Sequence, residues 1–224
     1  MKRLANILII TFVQAFCAQA QDDHGFVNFV NMIPGKGKCE IRIDSKNPSG
    51  DGLSAGSHTG WFLYPSGSAR VTVSLGDLDP IKGSIEIGKG VGSLIAVYLE
   101  PPPEPLKDGK PTPPALRIRS LPTYASEGLS LHFMTLCPSD NRFDLGTQRL
   151  NLEPFKTTDI PTWTGAGFTI KKNGKVIGEV SEMREKEPFY LLVGTDLEGK
   201  YICSLVFGGT AKTPPWRQKK KSDE

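Results

Sequence analysis

Cysteine, histidine, serine and the carboxylates are the side chains of this sequence able to carry chemistry, and their spacing limits what each can do. Cys39, Cys137 and Cys203 follow Cys17, and no C-x-x-C occurs. That spacing speaks against both a zinc knuckle and a thioredoxin-type pair. The histidines are His24 near the start, His58 in a Gly/Ser-rich stretch, and His132 between Leu131 and Phe133 on a strand pattern. None stands at the local spacing from which metal sites draw their ligands. Ser57 and His58 are adjacent as a nucleophile and base would be, but neighbours in a loop rarely turn toward each other. His58 also occupies the centre of Gly56-Ser57-His58-Thr59-Gly60, where a nucleophile elbow needs serine. Residues 83 to 90, GSIEIGKG, approach a phosphate-binding loop. They fail on chemistry, because Gly90 offers magnesium no hydroxyl and Ile85 and Ile87 alternate as a strand. Asp77 and Asp79 in GDLDP are too sparse for calcium. No catalytic, cofactor-binding or metal-binding residue is therefore expected.

Aromatic side chains leave one further chemistry, the stacking of sugars. Trp61, Tyr64, Trp163 and Trp216 are the available platforms. The competing reading is a core plug: alternation puts Trp61 with Leu63 on one face and Phe62 with Tyr64 on the other, so at least one pair must be buried. Trp61, Tyr64 and Trp163 are kept as candidate ligand-stacking residues. An oxidising compartment would permit a disulfide, and Cys137 with Cys203 is the candidate pair. Cys39 shares a face with Ile41 and Ile43 and reads as a core residue.

The elements that must position these side chains are strands. Cys39, Ile41 and Ile43 alternate with Glu40, Arg42 and Asp44, as do Val71, Val73 and Leu75, and then Ile85 and Ile87. Trp61 to Tyr64 forms another short strand, and residues 94 to 99 form a continuous apolar one. Gly, Pro, Asn and Ser clusters punctuate the pattern and no helical period appears, which predicts an antiparallel sandwich. Residues 101 to 114, PPPEPLKDGKPTPP, interrupt it. Each proline there fixes φ and removes an amide donor, so this joint reads as a semi-rigid spacer.

After the joint the order recurs. Leu116-Arg117-Ile118 with Leu121-Pro122 stand where the first strand and Ile33-Pro34 stood, and Leu129, Leu131 and Phe133 repeat the alternating second strand. Trp163 falls near the place of Trp61. Asn173-Gly174 is the strongest hairpin signal, residues 189 to 193 match the continuous apolar strand, and residues 201 to 207 form the last strand. The expected architecture is two tandem immunoglobulin-like antiparallel β-sandwich modules, residues 22–100 and 115–211, joined by the Pro-rich linker 101–114.

The segments VNFVNMIPGKGKCEIRID, GLSAGSHTGWFLYPSGSARVTVS and SLIAVYLE resemble an uncharacterised bacterial extracytoplasmic β-sandwich family, a domain of unknown function often found in tandem. The resemblance covers residues 26 to 100 and implies a fold and an extracytoplasmic setting, with no activity to carry over. The second copy departs from it, being shorter around residues 116 to 122.

At the N-terminus Lys2 and Arg3 precede an apolar run and Ala18-Gln19-Ala20, the pattern of a secretory signal peptide over residues 1–20. Export to the periplasm, cell surface or medium is therefore expected, and no later apolar stretch reaches spanning length. The sequence pI of about 8.6 is misleading, because Lys212, Arg217, Lys219, Lys220 and Lys221 crowd a tail, residues 212–224, that reads as disordered. Between residues 21 and 211, 20 basic side chains face 22 acidic ones. A nucleic-acid partner is thus not expected, and only the tail offers electrostatic contact with a surface. The leading functional expectation is a non-catalytic secreted or cell-envelope structural and interaction protein, whose partner is an envelope protein or a glycan. The alternatives are a carbohydrate-binding module and a hydrolase whose site assembles from loops 45–60 and 137–161.

Overall fold

The computed structural model describes residues 23–35, 37–100, 114–123, 129–137, 141–160, 163–183, 187–195 and 198–208. The expected signal peptide, the joint through residue 113, and the tail with Trp216 lie outside them. Among the described residues every regular element is a strand, and no helix is long and apolar enough to cross a membrane.

The first half contains β1 (His24–Asn31), β2 (Cys39–Ile43), β3 (Phe62–Pro65), β4 (Gly67–Leu75), β5 (Leu78–Ile87), β6 (Gly92–Glu100) and β7 (Ala115–Thr123). They form an inner sheet of order β3-β1-β6-β7 and an outer sheet of order β2-β4-β5. The second half contains β8 (Ser130–Thr135), β9 (Arg142–Leu145), β10 (Gln148–Asn151), β11 (Thr157–Asp159), β12 (Phe168–Lys172), β13 (Lys175–Val180), β14 (Pro188–Thr195) and β15 (Tyr201–Phe207). Its inner sheet runs β11-β8-β14-β15 and its outer sheet β10-β9-β12-β13. Strand for strand the halves have the same order, with β10 added in the second.

Two expectations need correction here. The strand after the prolines was expected to open the second module, but β7 pairs antiparallel with β6 along its whole length, from Glu100↔Ala115 to Gly92↔Thr123. The joint therefore connects two neighbouring strands of one sheet, and the first half runs on through Thr123. The counterpart of β1 is β8, with Leu131 and Phe133 facing its own core. Second, the sheets are not purely antiparallel. β1 pairs parallel with β6, and β8 with β14. In a constant-type immunoglobulin domain the third strand lies beside the sixth and the second beside the fifth, whereas here β3 lies beside β1 and β2 beside β4.

Strand alternation sorts the side chains into three apolar layers. Val27, Phe29, Ile95 and Val97 of the first inner sheet meet Ile41, Val71 and Val73 of its outer sheet. Phe133, Leu191 and Val193 meet Phe143, Leu145 and Ile170 in the second half. Between the inner sheets, Val30, Met32, Trp61, Leu94, Ala96 and Leu121 meet Met134, Leu136, Tyr190, Leu192 and Val206. This seam makes the molecule four sheets deep. It also explains why β6 and β14 read as continuous apolar runs: they are buried on both faces, so alternation would leave a polar row inside. The approach is close enough that a Cβ on Gly194 would stand 2.9 Å from the Met32 carbonyl oxygen.

Candidate functional site

The aromatic platforms expected to bind sugars are largely consumed by the fold. Trp61 is buried in the seam, and its indole N–H donates to the Phe207 carbonyl across it. Tyr64 is buried in the first core, and its hydroxyl donates to Asp44 Oδ2 at 3.1 Å. Burial and that acidic neighbour push the phenol up to about 12. Neither ring offers a free face. Trp163 keeps part of its surface exposed, packs edge-on against Phe168 and Phe189, and donates to the Ala166 carbonyl at 2.9 Å. It packs against the second core, whereas Trp61 belongs to the seam, so the two tryptophans do not hold matching places.

Cys39, Cys137 and Cys203 carry no disulfide in the structure, and the expected pair is Cys137 with Cys203. Both lie at the second core. Burial, reinforced by Cys137, raises the Cys203 thiol to about 12. Burial, reinforced by Glu40, raises Cys39 to about 12. Thiols held so far above neutral pH are poor nucleophiles.

The chemistry that the sequence did not advertise lies on the seam-facing side of β8. Alternation sends Leu131 and Phe133 into the second core and Ser130 and His132 the other way. The antiparallel register of β11 sets Asp159 opposite His132, and the parallel register of β14 sets Tyr190 on its other flank. His132 Nδ1 lies 2.6 Å from Asp159 Oδ1, and His132 Nε2 lies 3.1 Å from Ser130 Oγ. The imidazole stacks on Tyr190 with ring centroids 5.0 Å apart. The His132 side chain is 6% exposed and that of Asp159 73%, so the carboxylate stands at the surface and the imidazole is buried between it and the half-buried Ser130. An ionised carboxylate only accepts, so Asp159 fixes the Nδ1–H tautomer of the neutral ring and leaves Nε2 to accept from the Ser130 hydroxyl. A hydroxyl, an imidazole and a carboxylate are thus joined in the order that nucleophilic acyl transfer uses.

The matching face of β1 is differently furnished. Asn28, fully buried, accepts from the Thr59 hydroxyl at 3.3 Å and lies 3.5 Å from His58 Nδ1. His58 Nδ1 in turn accepts from the Gly60 amide at 3.1 Å. His58 Nδ1 is thus turned toward Asn28 and the Gly60 amide. Ser130-x-His132 was visible as a strand spacing, but Asp159 is 27 residues further on and arrives only through the β8–β11 ladder. No group of three or more metal-ligating side chains occurs among the described residues. No protein-family model matches this chain, and no curated protein matches it.

Proposed function

We propose that this chain is an exported cell-envelope or extracellular structural and interaction protein, a tandem duplication whose two sandwiches are packed face to face. The observation that carries this reading is where the apolar surface goes. It fills three internal layers, while the outer sheets present mixed charge through Glu40, Arg42, Arg70 and Lys82 on one side and Lys171, Lys175 and Glu179 on the other. Among the described residues only Val91, Val176 and Phe207 are large exposed hydrophobics. Such a body suits a spacer or display element that meets partners through polar sheet faces and loops.

Support for the duplication comes from the backbone frame. The Asn31 side chain accepts from the Ile33 amide at 3.1 Å, and Thr135 accepts from Cys137 at 3.1 Å. Met32 donates to Val97 and Leu136 to Val193, both at 2.8 Å. Gly56 donates to Asn31 and Phe155 to Thr135, and both donors have positive φ. Across the seam Ser204 donates to the Gly56 carbonyl while Arg119 lies over Phe155, the reciprocal contact expected of a self-complementary interface. Export rests on the N-terminal pattern, and membership of the extracytoplasmic family rests on the resemblance over residues 26 to 100. Among the described candidate platforms, a glycan-binding reading retains Trp163. In-cell crosslinking of the fractionated producing cells tests the proposal. A dominant protein adduct in the envelope fraction is expected, and intracellular protein without adducts would refute it.

A further inference from the structure

We propose that Ser130, His132 and Asp159 form a hydrolytic site for small carboxylic esters, with Ser130 as nucleophile, His132 as general base and acid, and Asp159 as the positioning residue. The inference does not rest on the interaction reading, because it uses only the geometry of one sheet face.

Each part has a physical warrant. The Ser130 hydroxyl and His132 Nε2 are 3.1 Å apart, within reach for proton transfer. The 2.6 Å bond from Nδ1 to Asp159 holds the ring in the tautomer that leaves Nε2 basic, and it stabilises the imidazolium that forms in the reaction. Stacking on Tyr190 removes the remaining rotational freedom of the ring. Strands β8, β11 and β14 carry all four groups, so the constellation sits on rigid elements. The scaffold does not demand these residues. At the matching place the first half has Asn28, bonded to Thr59, and it folds with the same strand order. Ser130 is half-buried, which limits the acyl group to a small one.

The chemistry balances without a cofactor. Ser130 Oγ bonds to the ester carbonyl carbon as its proton passes to His132 Nε2. The carbon–alkoxide bond then breaks, and the alcohol departs with that proton, leaving acyl-Ser130. Water attacks the acyl carbon while Nε2 takes its proton, and Nε2 returns that proton to Ser130 Oγ as the acyl–oxygen bond breaks, which restores the hydroxyl and releases the carboxylic acid.

The test uses a fluorophosphonate probe on the full folded chain, with the modified serine located by peptide mass spectrometry and exposed Ser68 as the internal reference. Ser130 is expected to label far faster than Ser68. His132→Asn, which copies the side chain of the first half, should slow Ser130 labelling by about 100-fold or more while leaving the fold and Ser68 labelling unchanged. Asp159→Asn should lower the rate and displace its pH profile, a change that a packing defect would not produce. Ser130→Ala, a small change at a half-buried site, should abolish hydrolysis of p-nitrophenyl acetate above the His-independent background. Labelling of Ser130 no faster than Ser68 would overturn the proposal, as would equal Ser130 labelling in folded His132→Asn protein.

Discussion

On the seam side of the inner sheets the first half holds Asn28 against Thr59 and His58, whereas the second holds Ser130, His132 and Asp159 in line. The surroundings match: a parallel neighbour on one flank, an antiparallel chain on the other, and the same backbone bonds at the strand end. A shared frame with different side chains separates what holds the sheet from what the sheet carries. Asn31 and Thr135 belong to the frame, since each is fully buried and each binds the amide two residues on. The Asn28 and His132 positions are where the frame permits change. Gly56 and Phe155 show the cost of such change. Both sit at positive φ, which glycine adopts freely and phenylalanine does not. Phe155 is held there by contacts with Tyr98 and Arg119 across the seam.

The two tryptophans separate the seam, where Trp61 is buried, from the rim of the second core, where Trp163 packs. Trp61→Ala empties the seam and should cost about 4 kcal/mol, within the range for a buried large aromatic. Trp163→Ala, at a partly exposed ring, should cost about half as much. Urea unfolding of both variants checks this, and equal losses would mean that the seam is no more critical than the rim. Gly194→Val should cost about 3 kcal/mol, because the added atoms collide with the Met32 carbonyl rather than with a movable side chain. Calorimetry should then resolve two transitions where the parent shows one. Asn31→Ala and Thr135→Ala should each cost about 2 kcal/mol, since each strands a buried amide, at Ile33 and Cys137 respectively. Losses that differ several-fold would contradict a shared frame.

The smallest expected effect is alkaline. Cys39 and Cys203 are raised from 9.0 to about 12 and Tyr64 from 10.0 to about 12, so each binds its proton more tightly folded than unfolded. Their contribution is whole below the unfolded values and is lost as pH rises from 9 to 12 for the thiols and from 10 to 12 for the phenol. A chain with Tyr64→Phe should lose less stability than the parent between pH 10 and 12, as read by fluorescence-monitored denaturation. Below pH 9 neither Cys39 nor Cys203 should react with a thiol reagent until the chain unfolds.

Much of the strand list was legible because alternation and turn residues are local signals. Ile41/Ile43, Val71/Val73 and Ile85/Ile87 each lie on the strand and face their periodicity assigned. Asn173-Gly174 turns β12 into β13 with both residues at positive φ. Pairing is not local. The prolines after Glu100 mark where no strand can run, but they do not say whether Ala115 returns to the same sheet. β9 and β10 were hidden in what read as one long loop: they form a local hairpin, but their apolar residues are few, Phe143 and Leu145 among them, and the strand that ties β9 into its sheet, β12, is distant in sequence. The continuous apolar runs were recognised as strands, but the second buried face they imply required a second sheet to be known. The serine–histidine–carboxylate line was illegible because its third member comes from a neighbouring strand whose register no pattern announces.

β7 belongs to the first sandwich, and the seam binds the two halves into one body. Cutting the chain tests it most directly, by inserting a sequence-specific protease site between residues 106 and 108 and cleaving the folded protein. The two pieces should elute together, keep the parent circular dichroism and melt in one transition, because β7 remains paired with β6 and the seam remains closed. Separation into a folded piece ending before the cut and a folded piece beginning after it would show instead that the prolines join two independent modules.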